Sequence, residues 1–339
     1  MKRILVTGGF GFIGTTLTEL LTRDRANIVH VVDDMSTSPV DLDDYLGQIE
    51  NPSNLTYDIC SIEDYFRGCV PQYDEVYHLA SPVGPAGVLN YAGDLVRIIV
   101  RDCYLLMDYC IETGAKLLDV STSEIYGGGV EGYCPENTAR IVPPKTTIRL
   151  EYAMGKLAAE TALINTCRSN KLHATIVRPF NVAGPRQSPQ GGFVVPRFIQ
   201  QADSGIPLTV FGDGSAIRAF THVKDISEGI ILSLRKGKSG EAYNIGNPYN
   251  KTNILDLAKR IITVLKSASE IAFIDPKTIY GDYFAEANDK YPSAEKAEKE
   301  LGWTGKFVIE RVVEDAYQEY KRQKDVGILH CDIASPEKP

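Results

Sequence analysis

The chain has 339 residues, of which 43% are hydrophobic and 24% are charged, and its formal net charge is −8. This composition is typical of a globular protein, and the net negative charge disfavours nucleic acid or an anionic membrane as the main partner. No stretch approaches the ~20 consecutive apolar residues that a membrane helix requires. The basic start Met1–Arg3 leads into a strand rather than into the apolar segment of a secretory signal.

Seven cysteines are scattered along the chain, without the paired Cys and His spacing of a zinc site. Their odd number also argues against a complete set of disulfides. We therefore expect reduced thiols, no bound metal and a cytoplasmic location.

Short apolar strands alternate with helices over the first part of the chain. The apolar spacing predicts strands over 4–6, 29–32, 76–79, 116–121 and 175–178, and helices over 15–23, 95–113 and 152–167. This alternation predicts an α/β fold with a doubly wound parallel sheet and helices on both faces.

The pattern changes near residue 180, where Gly, Pro and Asn turn signals become frequent. Short helices are predicted between them over 254–266 and 294–301. We expect an N-terminal domain over 1–180 and a smaller mixed α/β region over 181–325. The residues 326–339 lack periodicity and are expected to form a flexible tail.

A glycine-rich loop follows the first predicted strand and opens the first predicted helix. In this context such a loop is typical of dinucleotide binding rather than of a turn without a ligand. Glycines allow backbone N–H groups to approach a pyrophosphate, and the helix N-terminus favours its negative charge. The expected cofactor contacts in the loop are Gly8, Gly11, Phe12, Ile13 and Gly14.

Asp33 ends the second predicted strand, about 20 residues beyond the loop. A carboxylate there accepts hydrogen bonds from the adenosine ribose and repels a 2′-phosphate, which favours NAD over NADP. Asp34 is adjacent, and the sequence does not say which carboxylate points inward. Asp58 and Ile59, after the next apolar segment, are a candidate pair for contacting the adenine.

A hydroxyl-rich turn and a Tyr-x-x-x-Lys helix carry the predicted chemistry. Residues i and i+4 share a helix face, so Lys156 lies one turn from Tyr152. We expect the ammonium to lower the pKa of the phenol, so that it takes a proton from an alcohol while hydride leaves for NAD. Thr122 is expected to bind the same alcohol. Alone, such a pair is typical of a surface; the glycine loop favours the functional interpretation.

Further short motifs follow the same order along the chain. Together the motifs are Thr7–Gly14, His78–Ser81, Thr122–Gly127, Tyr152–Lys156, Arg178–Arg186, Arg218–Asp225, Tyr243–Gly246 and Glu300–Trp303. This set resembles the extended short-chain dehydrogenases/reductases of the nucleotide-sugar epimerase/dehydratase group. The resemblance implies a Rossmann-type domain that binds NAD and a C-terminal region that binds a nucleotide diphosphate sugar, with a UDP-sugar favoured.

The resemblance also implies roles for single residues. It places Leu79, Ala80 and Ser81 at the cofactor with Tyr152 and Lys156, and Ser81 near the sugar as well. It implies that the nucleotide and diphosphate are held by Asn181, Arg186 and Arg218, and that Lys290 stands where relatives carry a diphosphate-clamping arginine. Lysine lacks the bidentate fork of arginine, so the diphosphate contact there is expected to differ.

Glu124 bears on which reaction follows oxidation at C4 of the sugar. A carboxylate two residues after Thr122 is suited to manage the proton at C5, which a 4-ketone acidifies. The alternative is a backbone cap. This position resembles the 4,6-dehydratases and the UDP-glucuronate decarboxylases more than the 4-epimerases.

Ser123 stands where many dehydratases carry an acidic Asp, and the Ser81-Pro82 turn resembles the decarboxylases. We therefore expect a UDP-glucuronate decarboxylase that forms UDP-xylose or its 4-keto form. The alternatives are a 4,6-dehydratase, a 4-epimerase, a reductase of small carbonyls and, remotely, an NAD-binding protein without catalysis. The segment Gly127–Pro144 matches no known pattern and is expected to shape the sugar pocket.

Relatives of this group commonly pair through a four-helix contact, so the resemblance implies a homodimer through the helices over 95–113 and 152–167. The first of these helices departs from the group, because Ile99, Asp102 and Cys103 replace its Asn-x-x-Gly-Thr pattern. This departure concerns helix packing and leaves Tyr152 and Lys156 in place.

Overall fold

The computed structural model describes residues 1–84, 87–127, 132–140, 142, 146–275, 289 and 291–328. The helices are α1 Phe12–Arg23, α2 Leu42–Gln48, α3 Ile62–Phe66, α4 Leu95–Thr113, α5 Ile148–Arg168, α6 Val194–Asp203, α7 Val223–Lys236, α8 Ile254–Leu265, α9 Glu295–Leu301 and α10 Ile309–Asp325. In these ranges we find no helix whose length and apolar character suit a bilayer crossing.

The strands form one large sheet and several small ones. They are β1 Lys2–Thr7, β2 Asn27–Asp33, β3 Leu55–Ile59, β4 Glu75–His78, β5 Lys116–Val120, β6 Tyr133–Cys134, β7 Ala174–Pro179, β8 Val182–Ala183, β9 Leu208–Phe211, β10 Ile217–Ala219, β11 Thr221–His222, β12 Ala242–Ile245, β13 Lys251–Asn253, β14 Ile271–Ile274 and β15 Tyr291–Pro292. The large sheet has seven strands in the order β12-β7-β5-β4-β1-β2-β3, and every pairing in it is parallel. The predicted doubly wound α/β sheet is confirmed.

Helices cover both faces of this sheet. On one face α1 and α7 bury residues such as Leu17 and Ile230 against the sheet, and on the other α4 and α5 bury Leu106 and Leu163. Strand order reverses between β1 and β4, and a crevice at the carboxyl ends of the strands forms at such a switch point. The fold therefore places the glycine loop after β1 beside the segment after β4.

Helix α5 begins earlier than the predicted start at Tyr152. The Thr147 side chain accepts a hydrogen bond from the Leu150 N–H at 3.2 Å and caps the helix at Ile148. The added turn brings Arg149 onto the helix, upstream of the predicted catalytic tyrosine.

The large sheet does not follow the predicted division at residue 180. Strand β12 is its edge strand, paired with β7, although it lies in the region assigned to the smaller domain. The segments α6, α8, α10 and β9 instead share a separate apolar core that includes Phe198, Leu257 and Val312. The chain thus leaves the sheet after β7 and returns to it at β12.

The described part of the segment Gly127–Pro144 packs against this returning strand. Strand β6 pairs with β15, and the Glu136 carboxylate accepts the Asn244 N–H at 2.8 Å. The predicted tail over 326–339 lies outside the described residues from 329 onward.

Candidate active site

The glycine loop lies between β1 and α1 and has no room for side chains at several positions. A Cβ at Gly8 would lie 2.6 Å from the Ala80 nitrogen, and one at Gly14 would lie 2.0 Å from the Gly8 carbonyl oxygen. Gly8 also has a φ of +72°, which favours glycine. The loop is therefore packed backbone to backbone, against both its own turn and the segment after β4.

The start of α1 fits the pyrophosphate of NAD. Gly11 is its N-cap and provides no side-chain hydrogen bond, and the first N–H groups of a helix have no partner within the helix. The N–H groups of Phe12, Ile13 and Gly14 lie in this first turn, where negative charge is favoured. The predicted loop residues are thus suited to hold the cofactor.

Asp33, and not Asp34, is the carboxylate that faces the loop. Its Oδ2 accepts the Phe10 N–H at 2.9 Å and its Oδ1 accepts the Met35 N–H at 2.8 Å. Asp33 is buried while Asp34 is exposed, and burial raises the pKa of Asp33 while these backbone hydrogen bonds lower it. The ambiguity between the two acids is therefore resolved in favour of Asp33.

Asp58 and Ile59 end the edge strand β3 next to β2. Asp33 and Ile59 are register partners, and Ile59 is 47% exposed. The Asp58 carboxylate pairs with His30 at 3.1 Å. Their place beside Asp33 suits an adenine contact, which stays a prediction.

Leu79, Ala80 and Ser81 follow β4 and face the glycine loop across the switch point. The Leu79 N–H bonds to the Thr7 carbonyl at 2.9 Å, which continues the sheet pairing up to the loop. Ser81 is partly exposed. This segment therefore packs against the glycine loop, and its contact with the cofactor stays a prediction.

Thr122 and Tyr152 meet at the carboxyl end of β5. Thr122 is buried; its hydroxyl accepts the Glu124 N–H at 3.1 Å and hydrogen-bonds the Tyr152 phenol, which lowers the pKa of that phenol. Burial outweighs this bond and raises the pKa of Tyr152, and the charges of Glu124 and Asp119 raise it further. The expected lowering of this pKa is therefore wrong for the structure described.

Lys156 is buried one turn along α5 from Tyr152. Its ammonium donates to the Val120 carbonyl at 2.8 Å, at the end of β5, and its side chain is 2% exposed. The sheet thus holds this cation at the level of the Thr122 turn. The structure brings Thr122, Tyr152 and Lys156 together as the sequence predicts.

Glu124 lies at the same turn and forms an ion pair with Arg149 of α5. Glu124 is partly exposed and Arg149 is about half exposed, so the pair faces accessible space rather than the core. Ser123 is buried. The Glu124 carboxylate is thus engaged by a guanidinium that lies three residues before Tyr152 on α5.

Asn181 and Arg218 are brought together by the strands after β7. The Asn181 amide donates to the Ala219 carbonyl at 3.4 Å, so it lies beside β10, which carries Arg218. The Arg218 guanidinium is partly buried and lies 3.7 Å from the Asp289 carboxylate. These residues form a polar site that contains one guanidinium and its carboxylate partner, and the diphosphate contact there stays a prediction.

Arg186 is not placed with them. Its guanidinium pairs with Glu19 at 2.7 Å and Glu319 at 3.7 Å, its side chain is only 9% exposed, and it stacks over the Tyr45 ring. Two carboxylates already compensate its charge, so the structure makes it a link between α1 and α10. The diphosphate role predicted from the resemblance has no support in this geometry. Lys290, the other predicted cation, lies outside the described residues.

Sequence reasoning missed three charged or titratable residues at this site. Arg149 lies one turn before Tyr152, and its signal was the i, i+3 spacing on the helix. His78 and Asp119 are fully buried under the redox pair. Their signal was a titratable residue inside a strand predicted to be buried, because such strands are otherwise aliphatic.

The chain resembles known nucleotide-sugar enzymes over most of its length. The sequence model described as the NAD dependent epimerase/dehydratase family matches residues 4–246. The chain is 32% identical over 303 residues to the UDP-N-acetyl-alpha-D-glucosaminuronate decarboxylase of Bacillus cytotoxicus, which covers 87% of this chain and 90% of that protein. It is also 32% identical over 341 residues to UDP-glucuronic acid decarboxylase 1 of Danio rerio, covering 99% of this chain and 77% of that protein.

A solved structure shows the same fold. The crystal structure of a UDP-glucuronic acid 4-epimerase from Bacillus cereus in complex with NAD matches with a TM-score of 0.79 and 25% identity. The match covers 94% of this chain and 99% of that chain. The three named proteins share one feature of their substrates, which is a uronic acid on UDP.

Proposed function

Because the chain belongs to the NAD dependent epimerase/dehydratase family, we propose that this NAD-dependent enzyme decarboxylates a UDP-linked uronic acid. UDP-glucuronate is the first substrate to test, because relatives that match nearly the whole chain act on it by name. The product is UDP-xylose or its 4-keto form, depending on whether the ketone is reduced before release.

The first step is oxidation at C4 of the sugar. When bound, NAD supplies the hydride acceptor. Thr122 and Tyr152 bind the C4 hydroxyl, and the phenolate of Tyr152 removes its proton as general base. Because burial raises the pKa of Tyr152, the buried Lys156 ammonium is needed to favour the phenolate.

The observation that carries the proposal is the pair of Glu124 and Arg149 beside this redox centre. A guanidinium binds a carboxylate well, so Arg149 is suited to hold the C6 carboxylate of the sugar. Oxidation at C4 makes that group a β-keto acid. When carbon dioxide leaves, the electrons of the C5–C6 bond form an enolate, and C5 must then gain a proton, which Glu124 is placed to manage.

The site favours decarboxylation over the two alternatives. A 4,6-dehydratase must protonate the departing C6 hydroxyl, and buried Ser123 is a poor acid. A 4-epimerase needs the redox pair alone and gives no role to Glu124 and Arg149. The 4-epimerase of known structure is nevertheless named for a uronic acid substrate, so epimerisation remains the second outcome of the experiment below.

The test is incubation of the purified chain with NAD and UDP-glucuronate, followed by mass spectrometry. We expect a product lighter by one carbon dioxide. Loss of one water would indicate dehydration, and an unchanged mass with a new chromatographic peak would indicate epimerisation. Either result would replace the proposed reaction.

Two variants, Glu124→Gln and Arg149→Gln, test whether the Glu124–Arg149 pair acts on the substrate. Glu124→Gln should still reduce bound NAD but release carbon dioxide more slowly, and Arg149→Gln should raise KM for UDP-glucuronate by about tenfold or more. The matched control is Arg97→Gln, because Arg97 forms an exposed ion pair with Asp94 on α4. If the Arg149 variant keeps the KM of the control, Arg149 does not bind the substrate.

The homodimer stays a proposal and is supported by exposed apolar side chains on the two long helices. Val96, Tyr104 and Ile111 on α4 and Met154 on α5 are 38–48% exposed, and the three on α4 recur at the spacing of one helix face. We expect Tyr104→Asp to yield monomers in sedimentation velocity, whereas Tyr249→Asp, at an exposed site on another surface, should not. A monomeric parent chain would refute the proposal.

A further inference from the structure

A row of polar side chains crosses the face of the large sheet under α4 and α5. Thr7, His78 and Asp119 stand at matched register positions on β1, β4 and β5, and their exposed fractions are 0%, 2% and 1%. The residues two positions before them pack against α4 and α5, and side chains two apart on a strand share a face. Since a parallel sheet usually buries aliphatic residues there, the row needs a physical reason.

The Asp119 carboxylate is weakly satisfied by its neighbours. Its Oδ1 lies 3.8 Å from Nε2 of His78, which is beyond hydrogen-bond distance. In the described part of the chain its Oδ2 has no hydrogen-bond partner. The other ring nitrogen of His78 is bonded to the Thr7 hydroxyl at 2.7 Å. A fully buried carboxylate in such surroundings is costly unless a cation compensates it.

The Lys156 ammonium supplies a positive charge that acts on Asp119, although the two groups do not form a direct ion pair. The ammonium is bonded to the carbonyl of Val120, the residue next to Asp119, and its charge lowers the pKa of both Asp119 and His78. Burial, and then Lys156, lowers the pKa of His78 to about 3, so the imidazole is neutral near pH 7. The imidazole therefore does not compete with the ammonium as a counter-ion for Asp119.

Titratable groups face Asp119 from each element packed on it. They are His78 on β4, Cys103 on α4, and Tyr152, Lys156 and Glu160 on α5, while Asp102 on α4 acts on Lys156. Its register partner on β7 is the uncharged Ile176. Asp102 is paired with Arg101 at 2.8 Å and Glu160 with Arg178 at 2.7 Å. Those two acids are thus compensated by arginines, which leaves Lys156 to compensate Asp119.

We propose that Asp119 is a positioning residue of the redox centre: its buried carboxylate balances the charge of Lys156, which the Val120 carbonyl holds in place, and this negative charge sets the pH at which Tyr152 takes the substrate proton. Asp119 acts through Lys156 and Tyr152 and does not touch the substrate. The proposal rests on oxidation by the Tyr152 phenol and not on the identity of the sugar.

The sign of the effect follows from the charges. Burial raises the pKa of Asp119 to about 6, with Lys156 opposing the shift, so the carboxylate is ionised at neutral pH. An ionised Asp119 raises the pKa of Tyr152. Removing this negative charge should therefore favour the phenolate and extend activity to lower pH.

The kinetic test compares the parent chain with Asp119→Asn, which keeps the shape and removes the charge. We measure kcat and KM for NAD reduction against pH with UDP-glucuronate, or with another UDP-sugar that reduces the bound NAD if UDP-glucuronate does not. The acid limb of kcat should move to lower pH by roughly half a unit to one unit, with KM changed less than about twofold. An unmoved limb in a folded variant would overturn the proposal.

A second readout needs no substrate. The folded-state pKa of Asp119 lies above the ordinary Asp value, so its contribution to stability is fully present below about pH 4 and is lost as pH rises through about 6. The thermal unfolding midpoint of Asp119→Asn minus that of the parent should therefore be larger at pH 7 than at pH 4. A difference independent of pH would mean that Asp119 is not the ionised group we propose.

Asp225→Asn is the matched control. Asp225 is also fully buried, has a carboxylate oxygen without a hydrogen-bond partner in the described residues, and accepts N–H groups of Lys306 and Phe307. It lies on α7, on the opposite face of the sheet from α5. This variant should lose stability without moving the acid limb of kcat, and an equal movement in both variants would also overturn the proposal.

Discussion

The two ends of the active site are built by different parts of the chain in different ways. The cofactor end is backbone packed on backbone, where a single Cβ at Gly14 would lie 2.0 Å from a carbonyl oxygen. The proposed substrate end is built from charged side chains on short strands and turns, such as Arg218 and its partner Asp289. The cofactor end therefore depends on backbone atoms, which all residues share. The proposed substrate end depends on which side chains the fold brings into contact.

This difference explains why the cofactor is easier to recognise than the substrate. A backbone that must approach a pyrophosphate admits glycine at a few fixed spacings, which leaves a readable motif. A cationic pocket for a diphosphate accepts arginines from many positions in the chain. Arg186 and Arg218 look alike in the sequence, yet one is a link between helices and the other lies in the candidate site.

The largest expected effect concerns Tyr152, which lies between the cofactor end and the proposed substrate end. Tyr152→Phe should lower the rate of NAD reduction by roughly a thousandfold or more, because it removes the proposed general base. NAD binding, followed by fluorescence or calorimetry, should be retained. The control is Tyr109→Phe on α4, which removes a hydroxyl bonded to the Pro71 carbonyl at 2.7 Å and should keep the parental rate. Full activity of Tyr152→Phe would refute the redox scheme.

The next prediction concerns the cofactor end alone. Gly14→Ala forces the loop apart, because the new Cβ meets the Gly8 carbonyl oxygen, and overpacking of this kind costs about 1–3 kcal/mol. We expect NAD affinity to fall on the order of tenfold to 100-fold. Gly47→Ala is the control, since a Cβ there meets nothing within 4 Å. Equal NAD affinity in both variants would show that the loop does not hold the cofactor as proposed.

The smallest prediction separates the two arginines. Arg186→Ala should lower the free energy of unfolding by about 2–4 kcal/mol, because it leaves Glu19 without its cation, whereas Glu319 keeps Arg322. It should leave KM for the nucleotide sugar nearly unchanged. Arg218→Ala should do the reverse and raise KM by about tenfold. Denaturant titration and steady-state kinetics of both variants decide the matter. A raised KM in the Arg186 variant alone would exchange the two roles.

Much of the fold was predictable because its signals are local. Apolar periodicity predicted the strands and helices around residues 4–178, and β1, α1, α4 and β5 lie where expected. The return of the chain to the sheet at β12 was not predicted, since a four-residue strand carries no local sign of its partner. Pairing with β7 depends on the packing of the whole sheet.

By itself, then, the sequence determined the α/β class, the NAD loop and the trio Thr122, Tyr152 and Lys156, because glycine spacing and helical periodicity are local. Only the tertiary structure decided that Asp33 rather than Asp34 faces the loop and that Arg186 pairs with Glu19 and Glu319. It also decided that Asp119 lies buried near Lys156. The physical reason is that burial and charge compensation arise between residues far apart in the chain, and they set the pKa values on which the chemistry depends.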